Sequence, residues 1–438
     1  ENGTLRNVLF HSTPLEELDL SGLGIRHLEK NALDNVSTLK WLSLANNSLE
    51  SLPEFMFSNL SNLEYLSLAE NNLKNLEYLF VRLEKLRVLN ISCNPVLHLR
   101  RANSFLKDDE ELKNLEKMKA EFTMIQTTES TESDIELASE HLSNNEITEI
   151  TKELLNDLPE DLIYVNLRGN RIRCIWSQVI ENRHLKILNL SNNFLEKIED
   201  GALAKTNLTS LTFFENQLES LSFVSSLPST LQVLVLAKNR FSSIPGGIFV
   251  NLPNLIYLNL VNNQIERLQN GTFSGLENLK DLNLSSNKLQ KITADMFADL
   301  PQNLGYLHID FNEINSLEKG SFVNVPRFTL SLTGNKISTI PSGTFDLPTL
   351  RDLYLNNNTL TMIDGDSYEG LPQLKHLLLI ENQINEIQKG SCKNLASLSI
   401  LNISRNPIQK LQNGALYGLS LARGNSIYIY ENQLKEIQ

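Results

Sequence analysis

One frame recurs so often that it leaves few folds open. Residues 39–49, Leu39-Lys40-Trp41-Leu42-Ser43-Leu44-Ala45-Asn46-Asn47-Ser48-Leu49, have the form LxxLxLxxNxL, and the same frame returns at 63–73, 185–195, 255–265, 279–289, 350–360, 374–384 and 398–408. Counted by the asparagine, units fall at Asn47, Asn71, Asn94, Asn145, Asn170, Asn193, Asn216, Asn239, Asn263, Asn287, Asn312, Asn335, Asn358, Asn382, Asn406 and Asn432. One more unit, 15–28, carries Leu23 at the asparagine position, so there are seventeen. Successive steps are 23 to 26 residues, apart from a single step of 51 between Asn94 and Asn145. A length of 438 residues would otherwise suggest about three domains; a fixed short period says one stacked coil instead.

Each part of the frame has a physical role. The xLxLx segment alternates with period two, so its leucines face one side of a short strand and the x residues the other. No single unit can bury its own leucines, but parallel strands stacked at ~4.8 Å share one dry column. The asparagine follows the strand, where its side-chain amide can bond main-chain groups of a buried turn. Ten residues further on comes a second apolar anchor: Phe57, Phe249, Phe273, Phe297, Phe322, Phe345 and Tyr368, with Cys392 in the same place. The predicted fold is an α/β solenoid: a curved horseshoe with a parallel concave sheet of about 17 strands and an irregular or short-helical convex side.

These residues resemble the 24-residue typical class of leucine-rich repeat found in animal extracellular proteins, including Toll and Toll-like receptor ectodomains, adhesion receptors and secreted immune proteins. The resemblance covers nearly the whole chain outside residues 100–136. It implies a non-catalytic extracellular module, an innate-immune pattern-recognition ectodomain or a secreted relative, binding a protein or microbial ligand on its concave face or a flank. A cell-adhesion or neuronal-guidance protein is the alternative, and the family leaves homo- and hetero-dimers open.

Organisation follows from the period. Residues 1–99 hold a partial N-terminal cap and four units, residues 100–136 an insertion, and residues 137–438 thirteen units, all in one continuous solenoid. Residues 5–14 read as the last strand of the cap, without the cysteines that staple such caps in the family. The last units still follow the repeat, with no cysteine-rich cap behind them, as expected of a piece of a longer ectodomain or of an end covered by something else. No basic-then-apolar leader opens the sequence, as expected of a chain whose signal peptide has been removed or that had none. No apolar run is long enough to span a membrane. Residues 104–140 carry four Lys against eleven acids, more than half of the net charge of −13. Within them, residues 108–125 are expected to form an amphipathic helix through Leu112, Leu115, Met118, Phe122 and Ile125, followed by a linker. An insertion of this length is either a tolerated surface loop or a functional one that is cut or shapes the ligand site. The acidic balance argues against nucleic acid.

Chemistry is sparse. There is no GxSxG, HExxH, CxxC or phosphate-cradling glycine loop, so neither an enzyme nor a cofactor is expected. Cys93 and Cys174 flank the insertion, and a bridge between them would staple its base; Cys392 is expected in the core. Eleven Asn-x-Ser/Thr sequons, at Asn2, Asn35, Asn46, Asn59, Asn90, Asn189, Asn207, Asn270, Asn283, Asn357 and Asn402, are N-glycosylation candidates. Four of these, Asn90, Asn189, Asn283 and Asn402, are forced by the repeat; a glycan at Asn189 or Asn283 would cover part of the concave face. Positions six, four and two residues before each asparagine point into that face. Most are Ser, Asn or Thr, but one stretch brings Tyr257, then Tyr306 with His308 and Asp310, then Asp352 with Tyr354, then His376 with Leu378 and Ile380. Aromatic and charged groups on neighbouring rigid strands suit protein recognition, since tyrosine adds large area at small entropy cost. Trp41 and Tyr65 form a second, smaller patch. His308 near Asp310, with His376 three units on, leaves a metal reading open, but no metal site is expected.

Overall fold

A computed structural model describes residues 3–6, 14–74, 76, 79–80, 83, 85–96, 139–151, 163–177, 179–294, 296–419 and 425–437. The expected insertion at 100–136, its helix and its linker lie outside them, as does most of the expected cap strand. The cap strand that is described, Thr4–Leu5, pairs with His27–Leu28. The chain divides into two compact units, one of Glu1–Glu146 with Thr151–Val165, the other of Ile147–Ile150 with Asn166–Gln438.

Among the described residues there are seventeen three-residue strands, one for each unit of the period. In the first unit Glu17–Asp19, Trp41–Ser43, Tyr65–Ser67, Val88–Asn90 and Ser139–His141 pair in parallel, each with the next. In the second unit the same ladder runs without a break from Ile187–Asn189 to Ser426–Tyr428. Register is constant: Leu258 pairs with Leu282, Leu282 with Leu307, and Leu330 with Leu353. All of these leucines are fully buried. Burial of one such side chain contributes about 1.5–3 kcal/mol, which is how seventeen short strands outweigh the entropy of ordering them.

The asparagine column closes each turn. The Asn263 amide nitrogen donates to the carbonyls of Leu236, Leu260 and Val261 at 3.0, 3.0 and 3.3 Å, and its Oδ1 accepts from the Phe241 N–H at 3.2 Å. Asn71 and Asn358 repeat the pattern on their own neighbours. One side chain thus saturates main-chain groups of two consecutive turns that no water reaches. The residue just before each asparagine is left-handed throughout, from Asn46 (φ 51°) through Asn262 (φ 58°) to Glu431 (φ 54°), with Gly169 and Gly334 doing the same. Gly22 (φ 68°) holds that place before Leu23, so the turn survives without the asparagine.

The far side is irregular, made of turns and very short elements. Among the described residues it has no α-helix; it carries two-residue strands such as Ser243–Ile244 paired with Arg267–Leu268, and Lys291–Ile292 paired with Ser316–Leu317. Short 3-10 turns occur at Ser222–Ser226 and Gly365–Tyr368. So few residues separate the asparagine from the next strand that an extended return is the shorter path. Beneath these strands the aromatic anchors are buried and stacked, Phe273 on Phe297, Phe297 on Phe322 and Phe322 on Phe345, with ring centroids 6.2, 5.7 and 5.8 Å apart.

The Cys93–Cys174 bridge does not form, and all three cysteines are free. Cys93 is the left-handed, exposed residue before Asn94, whereas Cys174 lies in a far-side strand paired with Lys197–Ile198. The two occupy different places in the repeat, so their Cβ vectors serve different faces. Cys392 is buried in the aromatic column, as the repeat predicts, and burial pushes its thiol up to about 11.

Candidate recognition surface

Constant register turns the sequence positions into straight rows. Six residues before each asparagine stand Val233, Tyr257, Asp281, Tyr306, Thr329, Asp352, His376 and Ile400, each paired with the next. Beside them, in the row four before, run Asn259, Asn283, His308, Ser331, Tyr354, Leu378 and Asn402. From Tyr257 to His376 there are five rungs, about 24 Å at ~4.8 Å each. Tyr257, Tyr306, Asp352 and His376 therefore share one row, and His308 and Tyr354 the next.

The charged groups within it are not equivalent. The Asp352 Oδ1 lies 2.6 Å from the His376 Nδ1, and its Oδ2 accepts from the Thr329 hydroxyl at 3.2 Å. Asp310, read from sequence as a presented group, is instead engaged by the fold: its Oδ1 accepts from the Ser331 hydroxyl and from the Thr333 N–H at 2.8 Å. One rung's carboxylate caps the turn of the next, which withdraws it from a partner.

Asp281 is the residue that sequence reasoning passed over. It sits between Tyr257 and Tyr306, and its Oδ1 is buried without a hydrogen-bond partner. Burial raises its carboxyl above the usual range, opposed by the charge of His308 on the next strand. Its spacing before Asn287 marked it as a strand-face residue all along; nothing in the sequence marked it as unsatisfied. Around it, burial pushes the Tyr257 phenol up, with the Asp281 charge adding to the effect and the Asn259 amide, which donates to the phenol oxygen at 2.9 Å, opposing it. Burial, then the charge of Asp352, raises Tyr354 as well. Tyr306 is 44% exposed and leans on Phe328, centroids 5.9 Å apart. In the first unit Trp41 and Tyr65 pair in register and stack face to face at 5.0 Å and 9°.

The sequons divide by position. Asn90, Asn189, Asn283 and Asn402 lie on the strand face, each with its Oδ1 held by the N–H two residues on. Asn35, Asn46, Asn59, Asn207, Asn270 and Asn357 are exposed away from that row, although the Asn59 amide donates to Asp34 at 2.9 Å. Asn2 lies outside the described residues. Among the described residues no cluster of three His, Cys, Asp or Glu could hold a metal, and no helix is long and apolar enough to cross a membrane.

Comparison with known proteins agrees with this architecture. The family described as Leucine rich repeat matches residues 37–96, 229–289, 257–302, 328–384 and 372–423, more than half of the chain, and the BspA type Leucine rich repeat region matches 111–227. The protein belongs to the leucine-rich repeat family. Human keratocan is 36% identical over 213 residues, 47% of this chain and 59% of that protein, so the chain spans about six-tenths of the curated relative it matches. Among solved structures, Drosophila Toll in its complex with Spatzle superposes with a TM-score of 0.70 over 94% of this chain and 51% of Toll, at 21% identity, a likeness of fold. A leucine-rich repeat protein of Leptospira interrogans gives 0.66 at 26% identity, over 90% of this chain and 91% of that one. The protein is extracellular, in keeping with secreted relatives of the keratocan kind.

Proposed function

We propose that this is a recognition module without chemistry of its own, which binds a protein ligand on the strand face between Tyr257 and His376. The observation that carries the reading is Asp281. A buried carboxylate oxygen with no partner costs stability, and such groups persist where a ligand completes them. Tyr257 and Tyr306 flank it and Tyr354 stands two rungs beyond Tyr306, so an incoming donor meets broad aromatic contact on either side. Trp41 and Tyr65 supply a smaller secondary contact of the same kind. Within this reading we assign the protein to innate-immune recognition, as a receptor ectodomain or a secreted relative. The Toll–Spatzle structure, a Toll-type solenoid with a protein ligand, is the support for that assignment.

Two measurements test it. Conditioned medium is passed over the immobilised protein and over the Y306A/Y354A and D281A variants, with bound proteins quantified; a specific ligand falls at least about tenfold on the variants, as loss of two aromatic anchors implies. Equal capture by all three ends the proposal. Glycopeptide mapping of the secreted protein is the second: Asn283 pairs with His308 inside the surface, so the reading requires it to be bare while the exposed sequons carry glycan. A glycan at Asn283 would cover the patch and redirect ligands to a flank.

A further inference from the structure

Immediately before each strand stands one residue whose carbonyl receives two N–H groups from the next rung. In the middle of the second unit these are Lys280, Gly305, Phe328, Arg351 and Lys375, in order: the Lys280 carbonyl accepts from Gly305 and Tyr306, that of Phe328 from Arg351 and Asp352, and that of Arg351 from Lys375 and His376, all at 2.8–3.0 Å. They form a straight column along one edge of the sheet, about 19 Å over four steps at ~4.8 Å. Arg327, exposed where six neighbouring repeats bury Leu255, Leu279, Leu304, Leu350, Leu374 and Leu398, adds a fourth cation.

Several other cations of this chain are matched by carboxylates one rung away, as in Lys205–Glu181, Lys336–Glu313, Lys393–Asp366 and Arg405 with Glu381 and Glu431. Lys280, Arg327, Arg351 and Lys375 are exposed, and none makes an ion pair in the described structure. Arg327 and Arg351 instead lie over the Phe328 ring, 5.9 and 5.6 Å from its centroid, with Tyr306 against the same ring. Such stacking holds a guanidinium plane in place and leaves its N–H groups to turn outward. In the three residues leading to each member of the column, Glu277 is the only acid. On the strand side, Asp352 is held by His376 and Thr329, and Asp281 is largely withdrawn by burial.

We propose that this edge binds a sulfated polysaccharide chain. Unpaired cations strung along one straight edge, with Arg327 and Arg351 gathered over one ring, in a molecule of net charge −13, match a linear polyanion rather than a globular acidic surface. Sulfate oxygens accept from the arginine forks, and the exposed Tyr306 ring, set among those cations, offers a flat face for a pyranose ring. An acidic peptide would use the charges but not the ring. The site is distinct from the strand-face patch except at Tyr306, so either can fail alone.

The test is titration of a fluorescent heparin octasaccharide, its desulfated counterpart and an oligoglutamate of matched charge into the intact protein. The octasaccharide is expected to bind, with affinity falling as salt screens the column, and the other two to bind at least about tenfold more weakly. K280A/R351A/K375A should weaken the octasaccharide about tenfold, since three exposed ion pairs are lost. Lys319, Lys389 and Lys435, exposed elsewhere, provide a K319A/K389A/K435A control that should leave binding unchanged, with melting temperature confirming that both variants fold. R351K, which retains charge without the stacked fork, should fall between. No octasaccharide binding, an equal loss in the control, or equal binding of oligoglutamate overturns the proposal; the last result identifies an acidic peptide instead. Loss on Y354A but not on the triple variant also overturns it, by moving the sugar to the strand face.

Discussion

Asn263 shows what one side chain does in this fold. Its four hydrogen bonds tie main-chain groups of two turns. Truncation would leave the Phe241 N–H buried and unsatisfied and take one of two donors from each carbonyl, since Asn239, Asn287 and the Lys238 N–H still reach Leu236, Leu260 and Val261. Asn263→Ala should lower unfolding free energy by about 1–3 kcal/mol, read from urea denaturation. Asp281 works in the other direction. Because burial raises its folded pKa above the ordinary carboxylate value, the native state holds its proton more tightly than the unfolded chain. That group therefore adds stability as pH falls through its raised folded pKa, and ionisation subtracts it at neutral pH. Asp281→Asn should be more stable than the parent at pH 7, with the advantage shrinking as pH drops into the carboxylate range; an unchanged or lower midpoint at pH 7 would show that the carboxylate is satisfied. The same variant should lose ligand, which separates a group kept for binding from one kept for folding.

At the scale of an element, the far side rests on its aromatic column. Phe322 is fully buried and stacks on both Phe297 and Phe345. Phe322→Ala should cost about 3–5 kcal/mol, measured by thermal or chemical unfolding, because rings on either side hold the cavity open. Phe311 is the contrast: the same residue type, exposed, in a left-handed turn before Asn312. Phe311→Gly should be neutral or slightly stabilising, since glycine takes that conformation freely. The sequence spacing alone separates these two phenylalanines, one ten residues after an asparagine and one just before. What spacing could not tell is that the far side returns as paired two-residue strands rather than short helices. That choice depends on main-chain hydrogen bonds to the neighbouring repeat, which no single repeat contains.

Across a whole unit, each rung contacts mainly its neighbours, and stability is close to a sum over adjacent pairs. Cys392 reports on this. It is buried mid-column with its thiol pushed up to about 11, so it should react with iodoacetamide only when the surrounding rungs open, while exposed Cys93 reacts at once. Labelling of Cys392 in the native protein as fast as that of Cys93 would mean the column is open to solvent.

Period, core residues, the buried asparagines and the rows of the strand face were all legible in the sequence, because each follows from position within one repeat. The fate of individual polar groups was not. Asp310 and Asp281 hold sequence positions like those of their neighbours, yet Ser331 and Thr333 claim the first while nothing meets one oxygen of the second. Likewise Lys205 finds Glu181 and Lys280 finds no acid. The partners that decide these outcomes lie one turn of the coil away, more than twenty residues along the chain, and only stacking brings them within hydrogen-bonding reach.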